Sequence, residues 1–226
     1  MPSTAGSQNM HRELNLLAKY PRAQRDPAAR AAEKTEQDVA IACLFGKEFF
    51  DGERRHGYGG YSHDIGRWKG VVADMMAHYD DPISVLDVGC AKGNFLRAYE
   101  LMHGGGCVVA GLDVSRYAIE NALPMMKPCV QWGDARRLPW ADKSFDLVVS
   151  INTLHNLPEV GVLIALSEIE RVGKDAYITV DAYSTEEERQ RVFDWNLTAQ
   201  TILHVDGWKK LFKEAGYNGD FGWWVP

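Results

Sequence analysis

Three carboxylates each close a short apolar run: Asp87 in ISVLDVG, Asp113 in CVVAGLDV and Asp134 in CVQWGD. Carboxylates in such places accept hydrogen bonds from hydroxyls and amines or offset a cation. Behind the first comes VLDVGCAKGNFL, with Gly89 and Gly93 in a turn that leads straight into helical periodicity. A strand, a glycine turn and a helix in that order bring backbone N–H groups and a helix N-terminus up to a ligand. A nicotinamide dinucleotide is one candidate, but the spacing is Gly-x-x-x-Gly. Ala91 stands where the dinucleotide fingerprint has its second glycine, so close approach of a pyrophosphate is less well served. Further on, INTLHNL carries Asn152 and His155, and VDAY carries Asp181. Histidine is the usual general base near neutral pH.

The elements that must hold these residues alternate along the chain. Apolar runs at 83–89, 107–114, 129–134, 144–151 and 175–183 read as strands. Between them lie a helix over 94–102, one with Ser115 as its N-cap, and one over PEVGVLIALSEIERVG that stops at Gly173. Strands alternating with helices imply βαβ units and a parallel sheet. Upstream, a helix is expected from near Ala28, an amphipathic helix over 36–50 interrupted by Gly46, and another from Trp68 to Tyr79. The C-terminal part reads as a helix over 206–215 and a last aromatic strand in DFGWWVP.

On these motifs the stretch from Ile83 to Val180 resembles the class I S-adenosylmethionine-dependent methyltransferases. The resemblance implies an α/β, Rossmann-like fold: a mainly parallel seven-stranded sheet, helices on both faces and an N-terminal helical and loop extension. It implies S-adenosylmethionine as cofactor and S-adenosylhomocysteine as product. Asp87, Gly89, Cys90, Ala91 and Gly93 then form the first cofactor motif. Asp113, followed by Val114, would accept both ribose hydroxyls, Asp134 the adenine amino group, and Ala135 would offer its N–H to the ring. Ala91 departs from the family's commonest glycine triplet. His155 falls where many members face the transferred methyl, as a base or as a packed loop residue. Asn152 would hold the substrate or the methionine amino group. Asp181 would bind a substrate amine or hydroxyl, or else cap the helix that begins near Ser184.

The segment HGYGGYSHDIGRW, from His56 to Trp68, follows no strand, so it is no phosphate loop, and it is too aromatic for a plain linker. It is expected to be a lid, the alternative being a loop packed on the core. Arg67 is the candidate for the methionine carboxylate, since a guanidinium pairs with a carboxylate through two parallel hydrogen bonds. Tyr61, with Tyr58, would close over the cofactor's methionine end. Tyr58, His56, His63 and Trp195 are the substrate candidates, with Asn196 and His204 as further walls. Trp223 and Trp224 are expected to alternate on the last strand, one packed and one exposed.

The 226 residues divide on this reading into a flexible arm over 1–35, a helical cap with its lid over 36–80 and the Rossmann-like domain over 81–226. A net charge of −6 argues against nucleic acid, although a basic face around Arg22, Arg25, Arg54, Arg55, Arg136 and Arg137 would favour it. No apolar run reaches the roughly 20 residues of a membrane span, the start lacks a signal-peptide core, and a cytoplasmic enzyme is expected. The four cysteines form no CxxC pair, so neither a zinc site nor a disulfide framework is suggested. The sum is methyl transfer to an oxygen or nitrogen of a small polar metabolite such as a sugar or aminocyclitol, with no metal and a homodimer left open. The rivals are RNA or protein methylation and a protein that only binds the cofactor.

Overall fold

The computed structural model describes residues 12–22 and 25–226. Three short helices lead the chain: α1 (Pro27–Glu33), α2 (Glu36–Ala42) and α3 (Lys47–Asp51). After the glycine–tyrosine loop comes α4 (Lys69–His78), and then β1 (Ser84–Val88), α5 (Asn94–His103), β2 (Val108–Asp113), α6 (Arg116–Glu120), β3 (Val130–Trp132) and β4 (Phe145–Ile151). The last part holds α7 (Glu159–Val172), β5 (Gly173–Tyr183), α8 (Glu186–Trp195), β6 (Leu203–His204), α9 (Val205–Glu214) and β7 (Asp220–Trp224).

The sheet is seven-stranded in the order β3-β2-β1-β4-β5-β6. The long β5 takes β7 beside Tyr177–Asp181 and β6 beside Ala182–Tyr183. Each of these pairings is parallel, the last strand's included. Alternate side chains go to opposite faces, because the side-chain period of a strand is two. Leu86, Val148 and Ile178 join Leu166, Ile169 and Phe212 in the core under α7 and α9. Val85, Leu147 and Val149 join Met75, Phe95 and Tyr99 under α4 and α5. Two buried faces explain why the strands read as continuous apolar runs.

Local chemistry sets the ends of the helices. Thr35 and Asp38 cap each other across the start of α2. Ser115 caps α6 as expected, accepting from the Ala118 N–H. The amphipathic run over 36–50 is two helices: Phe45 turns into the left-handed region at φ 47° and Gly46 becomes the N-cap of α3. Both α8 and β6 lacked an apolar pattern in the sequence; α8 has one buried residue, Val192.

The segment read as a flexible arm is docked over its described residues 12–22, while residues 1–11, Ala23 and Gln24 lie outside the described residues. Leu14 N–H donates to the Phe221 carbonyl at 2.8 Å, and Phe221 N–H to the Arg12 carbonyl at 3.0 Å, so this stretch runs beside β7. Arg12 places Nη2 3.0 Å from Asp220 Oδ2, an oxygen that His78 and Tyr79 also contact. Leu17 is buried in the core. A polar composition masked these few anchors.

Candidate active site

A cavity of about 690 Å³ opens at the carboxyl ends of β1, β2, β4 and β5, and the cap and glycine–tyrosine loop cover it. That volume is ordinary for a small-molecule site. The three sequence carboxylates Asp87, Asp113 and Asp134 all line it, as do Gly89, Cys90, Ala91, Val114 and Ala135.

The turn after β1 is built for close approach. Gly89 has φ +90°, and a Cβ there would stand 2.1 Å from Thr153 Oγ1, so the two carboxyl-end loops meet without room for a side chain. Ala91 adopts φ 48°, a conformation that costs an alanine roughly 1–2 kcal/mol. Its N–H donates to Asp113 Oδ2 at 2.8 Å and the Ser115 N–H donates to Oδ1 at 2.8 Å. Each Asp113 oxygen keeps a further lone pair for a hydroxyl. Burial raises the Asp113 pKa, and these two amides oppose the rise.

Asp87 differs. It is buried, and Oδ1 has no hydrogen-bond partner among the described residues. Burial, with the charge of Asp113 beside it, pushes its pKa up to about 8. Such a carboxyl awaits a cation. Cys90 is buried too, and burial pushes its thiol well above the usual range, which removes it as a nucleophile. At the lip, Asp134 is held by Arg136, with Nε 3.0 Å from Oδ1, which keeps its pKa low.

Beside this turn, β4, β5 and the loop after α8 supply further lining of the cavity. His155 is buried, and its Nδ1 accepts the Asp181 backbone N–H at 3.0 Å. An imidazole nitrogen that accepts carries no proton, so the neutral ring holds its proton on Nε2. The Asp181 carboxylate is not the ring's partner: Oδ1 stands 3.8 Å from Nδ1, while Oδ2 accepts Asn196 Nδ2 at 2.6 Å. The N-cap of α8 is Thr185, so capping is not the task of Asp181. Asn152 sits at φ 52°, its Oδ1 taken by the Thr179 hydroxyl at 2.9 Å, leaving Nδ2 without a partner among the described residues.

A family model described as a methyltransferase domain matches residues 86–180. Residues 86–180 form a class I methyltransferase domain. The chain is 31% identical over 159 residues to the demethylmenaquinone methyltransferase of Staphylococcus haemolyticus, covering 68% of this chain and 63% of that protein. It is 23% identical to the 27-O-demethylrifamycin SV methyltransferase of Amycolatopsis mediterranei, over 58% of this chain and 53% of that one. The chain thus spans less than two thirds of the length of these curated relatives. A solved S-adenosylmethionine-dependent methyltransferase from Archaeoglobus fulgidus shares the fold, with a TM-score of 0.52 at 22% identity over 76% of this chain and 72% of that one.

The cofactor of this domain is S-adenosylmethionine, and the residues present fit it. The unpartnered Asp87 oxygen suits an ammonium, Asp113 has lone pairs to spare, and the Gly89 turn leaves the approach clear.

The cavity also departs from several sequence expectations. Arg67 does not line it: Nη2 donates to the Pro21 carbonyl at 3.0 Å and the guanidinium lies over Tyr20, so it holds the docked N-terminal segment in place. His56 faces Asp38, with Nε2 3.1 Å from Oδ1. His63 is exposed beside Tyr61, outside the cavity. His204 caps α9 instead, its Nδ1 accepting the Asp206 N–H. Gly93 shapes the turn at φ +84° without lining the cavity, and a Cβ there would meet Met126. Trp224 is buried and lines the cavity, whereas Trp223 is half-buried.

Tyr58, Tyr61 and Trp195 do line the methyltransferase cavity. The two tyrosines belong to one aromatic cluster with Phe49 and Phe50, whose neighbouring ring centroids lie 5.0–5.7 Å apart. Three anchors tie this cover to the domain. Lys92 and the Tyr117 hydroxyl each reach Asp51 Oδ2 at 2.6 Å, and Asn94 Nδ2 donates to the Ser62 carbonyl at 2.7 Å.

Sequence reasoning missed Arg25, Arg30 and Arg54 as cavity residues. A basic spacing was visible there, but it read as an exterior face. That face does not exist as drawn: Arg55 is paired with Asp38 and Arg136 with Asp134, while Arg25, half-buried, and Arg54, still exposed, line the cavity.

Proposed function

We propose that the chain transfers a methyl group from S-adenosylmethionine to an oxygen or nitrogen of a small polar metabolite, such as a sugar or a related secondary-metabolite intermediate, in the cytoplasm. One observation carries this reading. The unpartnered carboxyl of Asp87 lines the same cavity as Asn152, His155 and Asp181, polar residues on the neighbouring strand ends. When bound, the cofactor supplies a methyl made electrophilic by its sulfonium, taken in an in-line displacement whose main demand is alignment.

The residues divide the work accordingly. Asp87 takes the methionine ammonium, Asp113 the ribose hydroxyls, and Asp134 with the Ala135 N–H the adenine edge. Past β4 and β5, Asp181 Oδ1 accepts from the acceptor's hydroxyl or amine, and Asn152 Nδ2 and His155 Nε2 donate to it. Tyr58 and Tyr61 exclude water from above, and burial pushes the Tyr61 hydroxyl well above its ordinary range, so it stays a neutral donor. The two curated relatives bear the names of enzymes that methylate small molecules, which supports a small acceptor here.

Calorimetry with S-adenosylhomocysteine tests the reading. Asp113→Ala is expected to weaken binding at least thirtyfold, on the order of 2 kcal/mol for a lost pair of charge-assisted hydrogen bonds. Unchanged affinity would remove the cofactor assignment.

A further inference from the structure

One part of the cavity wall carries three guanidinium groups around one ring. Arg25, Arg30 and Arg54 stand 4.7, 4.4 and 5.1 Å from the centroid of Trp195, and all four residues line the cavity. None of the three arginines forms an ion pair with Asp or Glu among the described residues. Arg54 donates to the Gly57 and Tyr58 carbonyls, and Arg30 Nε is buried with no hydrogen-bond partner among the described residues. Burial and mutual repulsion lower the pKa of both Arg25 and Arg30, and Asp181 attracts Arg25 without pairing to it.

Three like charges crowded on an apolar ring repel one another in a partly desolvated wall, where the repulsion is strong. The cofactor does not offset it. Its single carboxylate is too little charge to neutralise three guanidinium groups, and it brings a sulfonium and an ammonium of its own into the same cavity. A cationic acceptor such as an aminocyclitol would raise the repulsion further.

We propose that the acceptor carries a carboxylate or phosphate group, held by Arg25, Arg30 and Arg54 over the indole of Trp195. This deepens the methyltransferase reading and rests on it for the word acceptor, but the anion site stands on the arginines alone. A guanidinium binds either group through two parallel hydrogen bonds, and Trp195 offers a face to an attached ring or sugar.

The test is calorimetry on the full chain saturated with S-adenosylhomocysteine, titrated with benzoate and with phenyl phosphate, each against neutral benzamide. At least one anion is expected to bind tenfold or more tightly than benzamide, and the stronger of the two tells carboxylate from phosphate. Arg30→Gln and, separately, Arg25→Gln should weaken that anion at least tenfold while S-adenosylhomocysteine affinity stays within twofold. Two variants guard against one that fails to fold, checked by thermal melting. Equal affinity for benzamide, no binding of either anion, or a matching loss of S-adenosylhomocysteine affinity in both variants would overturn the proposal. Repeating the titration without S-adenosylhomocysteine separates the two readings: anion binding by a chain that does not bind S-adenosylhomocysteine would sink the methyltransferase reading and keep the anion site.

Discussion

The backbone N–H of Asp181 donates to Nδ1 of His155 across 3.0 Å, tying the loop after β4 to the end of β5. The bond leaves the ring's only proton on Nε2, so His155 meets the cavity as a donor. A general base would have to present a bare nitrogen there.

His155→Ala is therefore expected to lower turnover by about tenfold, the worth of one hydrogen bond, instead of the roughly 10²–10⁴-fold typical of a lost base. Asp181→Asn should cost the larger factor with a hydroxyl acceptor. Single-turnover rates on both variants check this, and ¹⁵N shifts of the imidazole should show a protonated Nε2 near pH 7. A bare Nε2 would restore His155 as the base.

Asp87 ties stability and cofactor binding to pH in a calculable direction. Its folded pKa of about 8 lies above the roughly 3.9 of an unfolded aspartate, so the native state holds the extra proton between those values. This site's contribution to stability falls as pH rises from about 4 to 8. Asp87→Asn should stabilise the free protein by about 2–4 kcal/mol at pH 8 and by much less at pH 5, read from urea midpoints.

The same variant should lose cofactor affinity, because an amide does not offset an ammonium. In the parent protein an arriving ammonium favours the ionised carboxyl, so binding near pH 7 should release a proton. Calorimetry in buffers of different ionisation enthalpy would show the release, and Asp87→Asn should abolish it.

Two neighbouring positions in the glycine turn should respond with opposite signs. Ala91→Gly removes the strain of φ 48° and should stabilise by about 0.5–1 kcal/mol after the entropy cost of glycine in the unfolded chain. Gly89→Ala drives a methyl into Thr153 and should cost more than about 2 kcal/mol along with cofactor binding. Thr153→Gly in the same chain should recover part of that loss in a melting measurement.

Asp51 anchors the cover. Asp51→Ala leaves the Lys92 ammonium, 4% exposed, without its partner and should destabilise by about 2–3 kcal/mol. Hydrogen exchange over residues 53–64 should quicken by at least tenfold, and S-adenosylhomocysteine affinity should fall. Unchanged exchange would mean that the aromatic cluster holds the cover unaided.

Much of the molecule was legible in its sequence because the information is local. A strand buried on two faces must be apolar throughout, a turn at φ +90° needs Gly89, and a carboxylate at a strand end is visible as such. Hence the order of strands and helices, the carboxylates Asp87, Asp113 and Asp134, and the loop bearing Asn152 and His155 all followed from spacing and resemblance. Tertiary structure decided which side chains of the irregular segments point inward, since such segments have no period to say so. It turned Arg67 to Pro21, His56 to Asp38 and His204 to its own helix, and brought Arg25 and Arg30 at α1 together with the distant Arg54 onto Trp195. It also set the tautomer of His155, because that depends on an amide 26 residues away that only the parallel pairing of β4 and β5 brings within reach.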